Sequence, residues 1–178
     1  MAQVKPAKQR TIRSYDLDAD DIYVFDTSII SQLFRNYYSE TFPGLWKKVN
    51  EYVLDGKIIS VSEAKNELLQ HNNLPKMTNW IHKNSGIFLE PIPEEFNFIA
   101  ELFKKPAGRQ LINRKNILEG LPAADPFIIA KAYSIKGTVV TTEKFKENAP
   151  KIPNICQEYS VPCFSLQNFF KKEKWIFS

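Results

Sequence analysis

Val24–Ile30 reads Val-Phe-Asp-Thr-Ser-Ile-Ile, so a short apolar run that begins at Ile22 delivers one carboxylate, Asp26, into two hydroxyls and the start of an apolar, helix-like segment. Burying an ionised carboxylate without a partner is costly; an acid at such a juncture accepts local N–H groups, pairs with a cation or binds a metal ion. The simplest of these is a helix N-cap, a task Thr27 or Ser28 would share. More acids at comparable places would change the chemistry. Two carboxylates ~4 Å apart repel by about 4 kcal/mol at an effective dielectric of about 20, so a group of four stays ionised at neutral pH only if a cation joins it. Oxygen-only ligands select hard ions, and Mg2+ typically takes one or two carboxylates while keeping several waters. Such an ion can polarise a phosphodiester, orient an attacking water and stabilise the leaving oxygen.

Three other segments bring acids to the ends of apolar elements. Lys57–Leu69 passes from a strand-like run through Ser60 or Ser62 into a helix with Glu63 and Glu67 four residues apart on one face. Leu121–Ala132 reads Leu-Pro-Ala-Ala-Asp-Pro-Phe-Ile-Ile-Ala-Lys-Ala, with Asp125 just before a proline in the first helical position, where it also reads as an N-cap. Gly137–Phe145 is a β-branched strand whose exit carries Glu143. Singly, Glu63 and Glu67 read as a solvated helix face and Glu143 as an exposed loop residue. Together, all lie at strand-to-helix ends, where α/β folds place their ligands.

The succession Phe-Asp-Thr-Ser-Ile-Ile, Ile-Ser followed by Glu67-Leu68, Ala-Asp-Pro-Phe-Ile-Ile-Ala and Val-Val-Thr-Thr-Glu resembles the PIN-domain family of metal-dependent nucleases, in particular a PIN-like bacterial group often encoded as toxins. The likeness runs from about Ile22 to Phe170. It implies a three-layer α/β/α sandwich around a parallel sheet, a carboxylate site for Mg2+ or Mn2+, and endoribonuclease activity, as the toxin of a type II pair with a small antitoxin partner. By position, Asp26 matches the first-strand aspartate, Glu67 the helix glutamate, Asp125 the aspartate of the Ala-Asp helix, and Glu143 the acid of the Thr-x-Asp segment, with Thr141 as its threonine. The chain departs from the commoner pattern by carrying Glu at 143. Glu63, one turn before Glu67, is the alternative helix acid. Asp26 and Asp125 are assigned to direct metal contact, Glu67 and Glu143 to water-mediated contact or positioning of the nucleophile, and Ser28 and Thr141 to hydrogen-bonding support.

Other chemistries are poorly supplied. The chain has no Gly-x-x-x-x-Gly-Lys or Gly-x-Gly-x-x-Gly loop and six glycines in all, which argues against nucleotide-driven work. His71 and His82 do not form a His-Glu-x-x-His pattern, and Cys156 and Cys163 lack the tight spacing of a zinc pair, so both cysteines are expected as buried free thiols in a reducing, cytoplasmic setting. With 178 residues, 43% hydrophobic and 13% aromatic, one domain over 22–178 is expected behind a flexible tail, 1–21, whose Lys5, Lys8, Arg10 and Arg13 precede four aspartates. No apolar run approaches the ~20 residues that span a bilayer. A net charge of +4 permits an anionic partner without demanding one.

The remaining segments supply the frame. Glu94–Lys105 predicts an amphipathic helix with Phe96, Ile99, Ala100 and Phe103 in the core, followed by a break at Pro106–Gly108. Beyond it, Arg109–Glu119 places Leu111, Ile112, Ile117 and Leu118 on one side and Arg109, Arg114 and Lys115 on another. With Lys104 and Lys105 these form a basic patch suited to the phosphates of RNA. Thr41–Asp55 predicts a helix from Pro43 to Gly56 carrying Phe42, Leu45, Trp46, Val49, Tyr52 and Val53, with Trp46 and Trp80 as core or interface anchors. Asn36, Tyr37 and Tyr38 are read as the preceding turn, rimming a groove where bases would stack. Val161–Phe164 predicts the last strand and Ser165–Lys172 a final helix capped by Ser165. The aromatic C-terminus (Phe169, Phe170, Trp175, Phe177) either covers the fold or forms a homodimer contact. Set against the ribonuclease is a PIN-like module that binds nucleic acid or protein with little cleavage; a DNA or flap nuclease would share the chemistry.

Overall fold

Apolar side chains alternate across each short strand, so both faces of the sheet demand a covering layer. Val24, Ile59, Val61 and Val139 point to one face and join a core with Phe98, Ile99, Leu102, Ile128, Ile129 and Ile155. Tyr23, Phe25, Ile58 and Val140 point to the other and join Ile29, Ile30, Leu33, Trp46, Met77 and Phe169. Each such side chain, fully buried, contributes about 1.5–3 kcal/mol. A computed structural model of the chain describes residues 22–71, 73–111 and 123–177. The tail 1–21 lies outside the described residues, as does the stretch with Arg114, Lys115, Ile117 and Leu118.

The strands are β1 (Tyr23–Phe25), β2 (Ile58–Val61), β3 (Phe88–Leu89), β4 (Thr138–Val140) and β5 (Cys163–Phe164). They form one five-stranded sheet in the order β3-β2-β1-β4-β5, and every pairing is parallel, with Tyr23 opposite Ile58 on one side and Thr138 on the other. Helices α1 (Thr27–Asn36) and α2 (Pro43–Leu54) connect β1 to β2, and α3 (Ser62–His71) and α4 (Pro75–Lys83) connect β2 to β3. Between β3 and β4 lie α5 (Pro93–Lys104), α6 (Pro106–Gln110) and α7 (Ala124–Ser134); α8 (Ile152–Glu158) precedes β5 and α9 (Leu166–Lys172) follows it. The chain is thus an α/β protein of three layers, as expected.

Local sequence accounts for many of the boundaries. Proline stands in the first turn of α2, and Gly56 after it takes a φ of 73°, the left-handed conformation that ends a helix and returns the chain to β2. Ser165 caps α9 by accepting the Asn168 N–H, as predicted. At the closing end of β1, the fully buried Ser60 hydroxyl donates to the Phe25 carbonyl at 2.7 Å and ties β2 to β1.

Several expectations need correction. Helix α5 buries Glu95, Phe98, Ile99 and Leu102, whereas Phe96 is 51% exposed and Ala100 is exposed. The face is rotated because Glu95 is inside: its Oε1 pairs with Lys131 Nζ at 2.8 Å and accepts from Ser134 Oγ at 2.8 Å, while Oε2 accepts the Ile92 N–H. The chain breaks at Lys105 and restarts as α6, with Gly108 packed so closely that a Cβ there would meet the Leu102 carbonyl oxygen at 2.0 Å. Asn36 closes α1 instead of lying in a turn. Phe42 is exposed just before α2. Cys156 is buried but Cys163, on the edge strand, is half-buried; both are free. At the C-terminus Phe169 and Trp175 cover the aromatic core, held there by Tyr23 and Tyr52 hydroxyls that both donate to Glu173. Among the described residues, no helix is long and apolar enough to cross a membrane.

Candidate functional site

From β1 the chain builds β2 and β3 on one side and later β4 and β5 on the other, so the strand order reverses between β1 and β4. Open parallel sheets bind ligands in the crevice outside the carboxyl ends of the strands at such a reversal. Asp26 is the first residue after β1 and Thr141 the first after β4.

Asp26 is 4% exposed and its N–H donates to the Val140 carbonyl at 2.9 Å, which locks the β1–β4 junction. It occupies the N-cap position of α1, yet its side chain makes no capping bond. Instead the Ser28 and Thr141 hydroxyls both donate to its Oδ2, the latter at 2.8 Å. Each hydroxyl is aimed by a backbone donor, since Thr142 N–H reaches Ser28 Oγ at 3.1 Å and Glu143 N–H reaches Thr141 Oγ1 at 3.1 Å. Both donors converge on one oxygen, which leaves Oδ1 for another ligand. Burial pushes the Asp26 carboxyl above the usual range, the two hydroxyls oppose that, and the charges of Glu143 and Glu67 add to it.

Glu67 reaches across from α3. Thr27 Oγ1 donates to its Oε2 and Ala124 N–H to its Oε1, each at 2.9 Å. The second bond satisfies an N–H that the start of α7 would leave free. Helix α7 therefore begins at Ala124 with Ala123 as N-cap, and Asp125 lies within the first turn; it is not the cap that the following proline suggested. A carboxylate there faces the positive end of the helix dipole. Even so, the Asp125 carboxyl is pushed up to about 8, first by burial and then by the charges of Asp26, Glu143 and Glu67, with Lys151 pulling the other way.

Glu143 is half-buried and fully engaged. Its Oε1 pairs with Lys151 Nζ at 2.8 Å and its Oε2 accepts the Ile152 N–H at 2.8 Å. Glu63 stands apart from this group: it accepts from Ser62 Oγ at 3.1 Å, its nearest charges are Glu90 and Lys131, and burial raises its carboxyl. The acids brought together are thus Asp26, Glu67, Asp125 and Glu143. Among the described residues, no three His, Cys, Asp or Glu side chains converge closely enough to hold a metal ion.

The described members of the basic patch are engaged with other groups. Lys104 pairs with Glu101, and Lys105 pairs with Glu158 and lies over the Tyr159 ring. Arg109 donates to the Phe103 and Lys104 carbonyls. Tyr37 and Tyr38 line a hollow of about 380 Å3 with Phe34, Trp46 and Leu74. They follow the last residue of α1, about 15 Å along the helix from Asp26, so they do not rim the acids.

Two partners of the acids escaped sequence reasoning. Thr27 was read as a capping residue, and its contact with Glu67 spans 40 positions in the chain. Lys151 had one available signal: Lys-Ile-Pro places a proline in a first helical turn, which makes Lys151 an N-cap beside the acid-bearing strand exit.

Comparison with known proteins gives little functional guidance. No curated protein matches the chain. Among solved structures, FitAcB from Neisseria gonorrhoeae is similar to it at 17% identity, over 80% of this chain and 96% of that one, with a TM-score of 0.48. The family model described as "Domain of unknown function (DUF4411)" matches residues 23–177, a span that includes all four gathered acids, and the chain belongs to that family.

Proposed function

We propose that the chain is a metal-dependent ribonuclease that hydrolyses RNA phosphodiester bonds at Asp26, Glu67, Asp125 and Glu143, acting in the cytoplasm as the toxin of a toxin–antitoxin pair. The observation that carries the chemistry is the gathering of four acids at the reversal of strand order, where burial and three neighbouring carboxylates push the Asp125 carboxyl up. Four carboxylates against the Lys151 ammonium leave an excess of negative charge, which a divalent cation would offset. The donor set fits Mg2+ or Mn2+: all oxygens, with Asp26 Oδ1 and the Asp125 carboxylate as direct ligands. Hard ions of this kind bind through one or two carboxylates and keep their waters. When bound, the ion would polarise the phosphodiester and lower the pKa of a water. Ser28 and Thr141 orient Asp26, and Glu67, held between Thr27 and Ala124, would hold or deprotonate the attacking water. RNA as substrate, toxin status and a small antitoxin partner rest on the resemblance of the four motifs to PIN-domain nucleases.

The test is incubation of purified protein with a mixed single-stranded RNA pool, with Mn2+ or with EDTA. Cleavage should need the metal and vanish in the Asp26→Asn, Asp125→Asn double variant. One observation favours a second reading, a binding module with little cleavage: the Glu143 carboxylate is already paired with the Lys151 ammonium. RNA retained but uncut in Mn2+ would select that module.

A further inference from the structure

Among the described residues, Lys151 brings the opposite charge into the group of acids. Lys151, the residue before α8, places Nζ 2.8 Å from Glu143 Oε1, and the side chains are 46% and 23% exposed respectively. The ammonium is therefore anchored on one side and open on the other. It also faces Asp125 closely enough to pull that carboxyl down, and its own pKa is raised, chiefly by Glu143, so it stays charged at every physiological pH. Glu143 has a second anchor in the Ile152 N–H, which fixes its carboxylate relative to the start of α8. Each Glu143 oxygen has one partner, as each Glu67 oxygen does, but among the described residues Glu143 is the acid of the four whose carboxylate is paired with a cation. The glutamate at this position is long enough to reach Lys151 and Ile152 from the exit of β4.

We propose that Lys151 is a contact for the phosphodiester backbone of RNA at the acid site, and that Glu143 is its positioning residue and not an ion ligand. This rests on the ribonuclease reading and assigns roles within the same site. An acid site repels a polyanion before any ion is bound; a fixed ammonium at its mouth offsets that repulsion and draws one phosphate to the acids. Lys can act as such a point charge without geometric selectivity, so Arg should substitute for it in binding.

The test uses the full chain and a fluorescently labelled single-stranded RNA in EDTA over a range of salt, with Mn2+ affinity measured separately by electron paramagnetic resonance. Removing one phosphate contact to a single strand lowers the slope of log affinity against log salt by about 0.7, so the advantage of wild type over Lys151→Met should shrink about fivefold for a tenfold rise in salt. Lys151→Arg should keep the wild-type slope. Glu143→Gln should leave Mn2+ affinity within about threefold, whereas loss of a group that supports an ion's ligands costs about 10–100-fold. Wild-type RNA affinity and slope in Lys151→Met, or a tenfold loss of Mn2+ affinity in Glu143→Gln, would overturn the assignment. If wild type cuts RNA while Lys151→Met binds normally, only the role of Lys151 falls. If wild type binds neither RNA nor Mn2+, the ribonuclease reading falls with it.

Discussion

Asp125 concentrates the electrostatics of the site in one titration. Its carboxyl shifts from 3.8 to about 8 on folding, so the folded chain holds that proton more tightly than the unfolded chain does. Below about pH 4 both states are protonated and the residue costs nothing. As pH rises towards 8 the unfolded chain ionises while the folded one resists, and the stability lost grows until both are ionised. Asp125→Asn removes the titration while keeping the shape of the protonated acid. In EDTA the variant should melt at the same temperature as wild type near pH 4 and higher at pH 8. Allowing for the carboxyl's partial access to solvent, the gain should be about 1–2 kcal/mol, or roughly 2–8 °C in a chain of this size. Equal melting temperatures at pH 8 would mean that the neighbouring charges are screened. A thermal melt at each pH decides it. Carboxyls raised in this way by burial and like charges cluster at functional sites.

Elements differ in how far they could be read from sequence. The strands were legible where β-branched runs are long enough to show, as in Thr138–Val140, whereas β3 spans two residues, Phe88 and Leu89, and has no periodicity to read. Ser165 and Pro43 marked helix starts correctly because capping is local chemistry. On helix α5 the expected core residues Ile99 and Phe103 do pack inward, but Phe96 and Ala100 are exposed, because hydrophobic spacing cannot reveal a buried charge. Lys131 and Glu95 are 4% and 1% exposed, and the ammonium also donates to the Glu90 carbonyl at 3.2 Å. Truncating one partner strands the other: Lys131→Met alone should cost about 3–5 kcal/mol, and Glu95→Leu with Lys131→Met should recover most of it. Urea unfolding of the three proteins separates the cases, and equal losses in the single and double variants would show that the helices need the pair to dock. Among the acids, Asp26 and Asp125 were legible from their places beside apolar runs. The choice of Glu67 over Glu63 follows from the resemblance, and the bonds of Glu67 to Thr27 and Ala124 are contacts over 40 and 57 positions that no local pattern encodes.

At the scale of the molecule, the acid group sits where the two halves of the sheet meet. Asp26 follows β1, Glu67 lies on the helix after β2, Asp125 lies in the first turn of α7 and Glu143 follows β4, so the acids come from both sides of the reversal of strand order. Their mutual repulsion acts across that junction, and a bound cation would turn it into attraction. Since an ion that binds only the folded state stabilises it by mass action, Mn2+ at about 100 times its dissociation constant should add about 2.7 kcal/mol, or roughly 5–10 °C in melting temperature. The rise should be absent in Asp26→Asn, where one direct ligand loses its charge and the Ser28 and Thr141 hydroxyls can still donate to the remaining amide oxygen. Ca2+, with longer bonds and a demand for more ligands, should stabilise less than Mn2+, because few acids here are free to approach an ion. A rise of the same size in Asp26→Asn would place the ion elsewhere on the surface and separate cation binding from the acids that the sheet brings together.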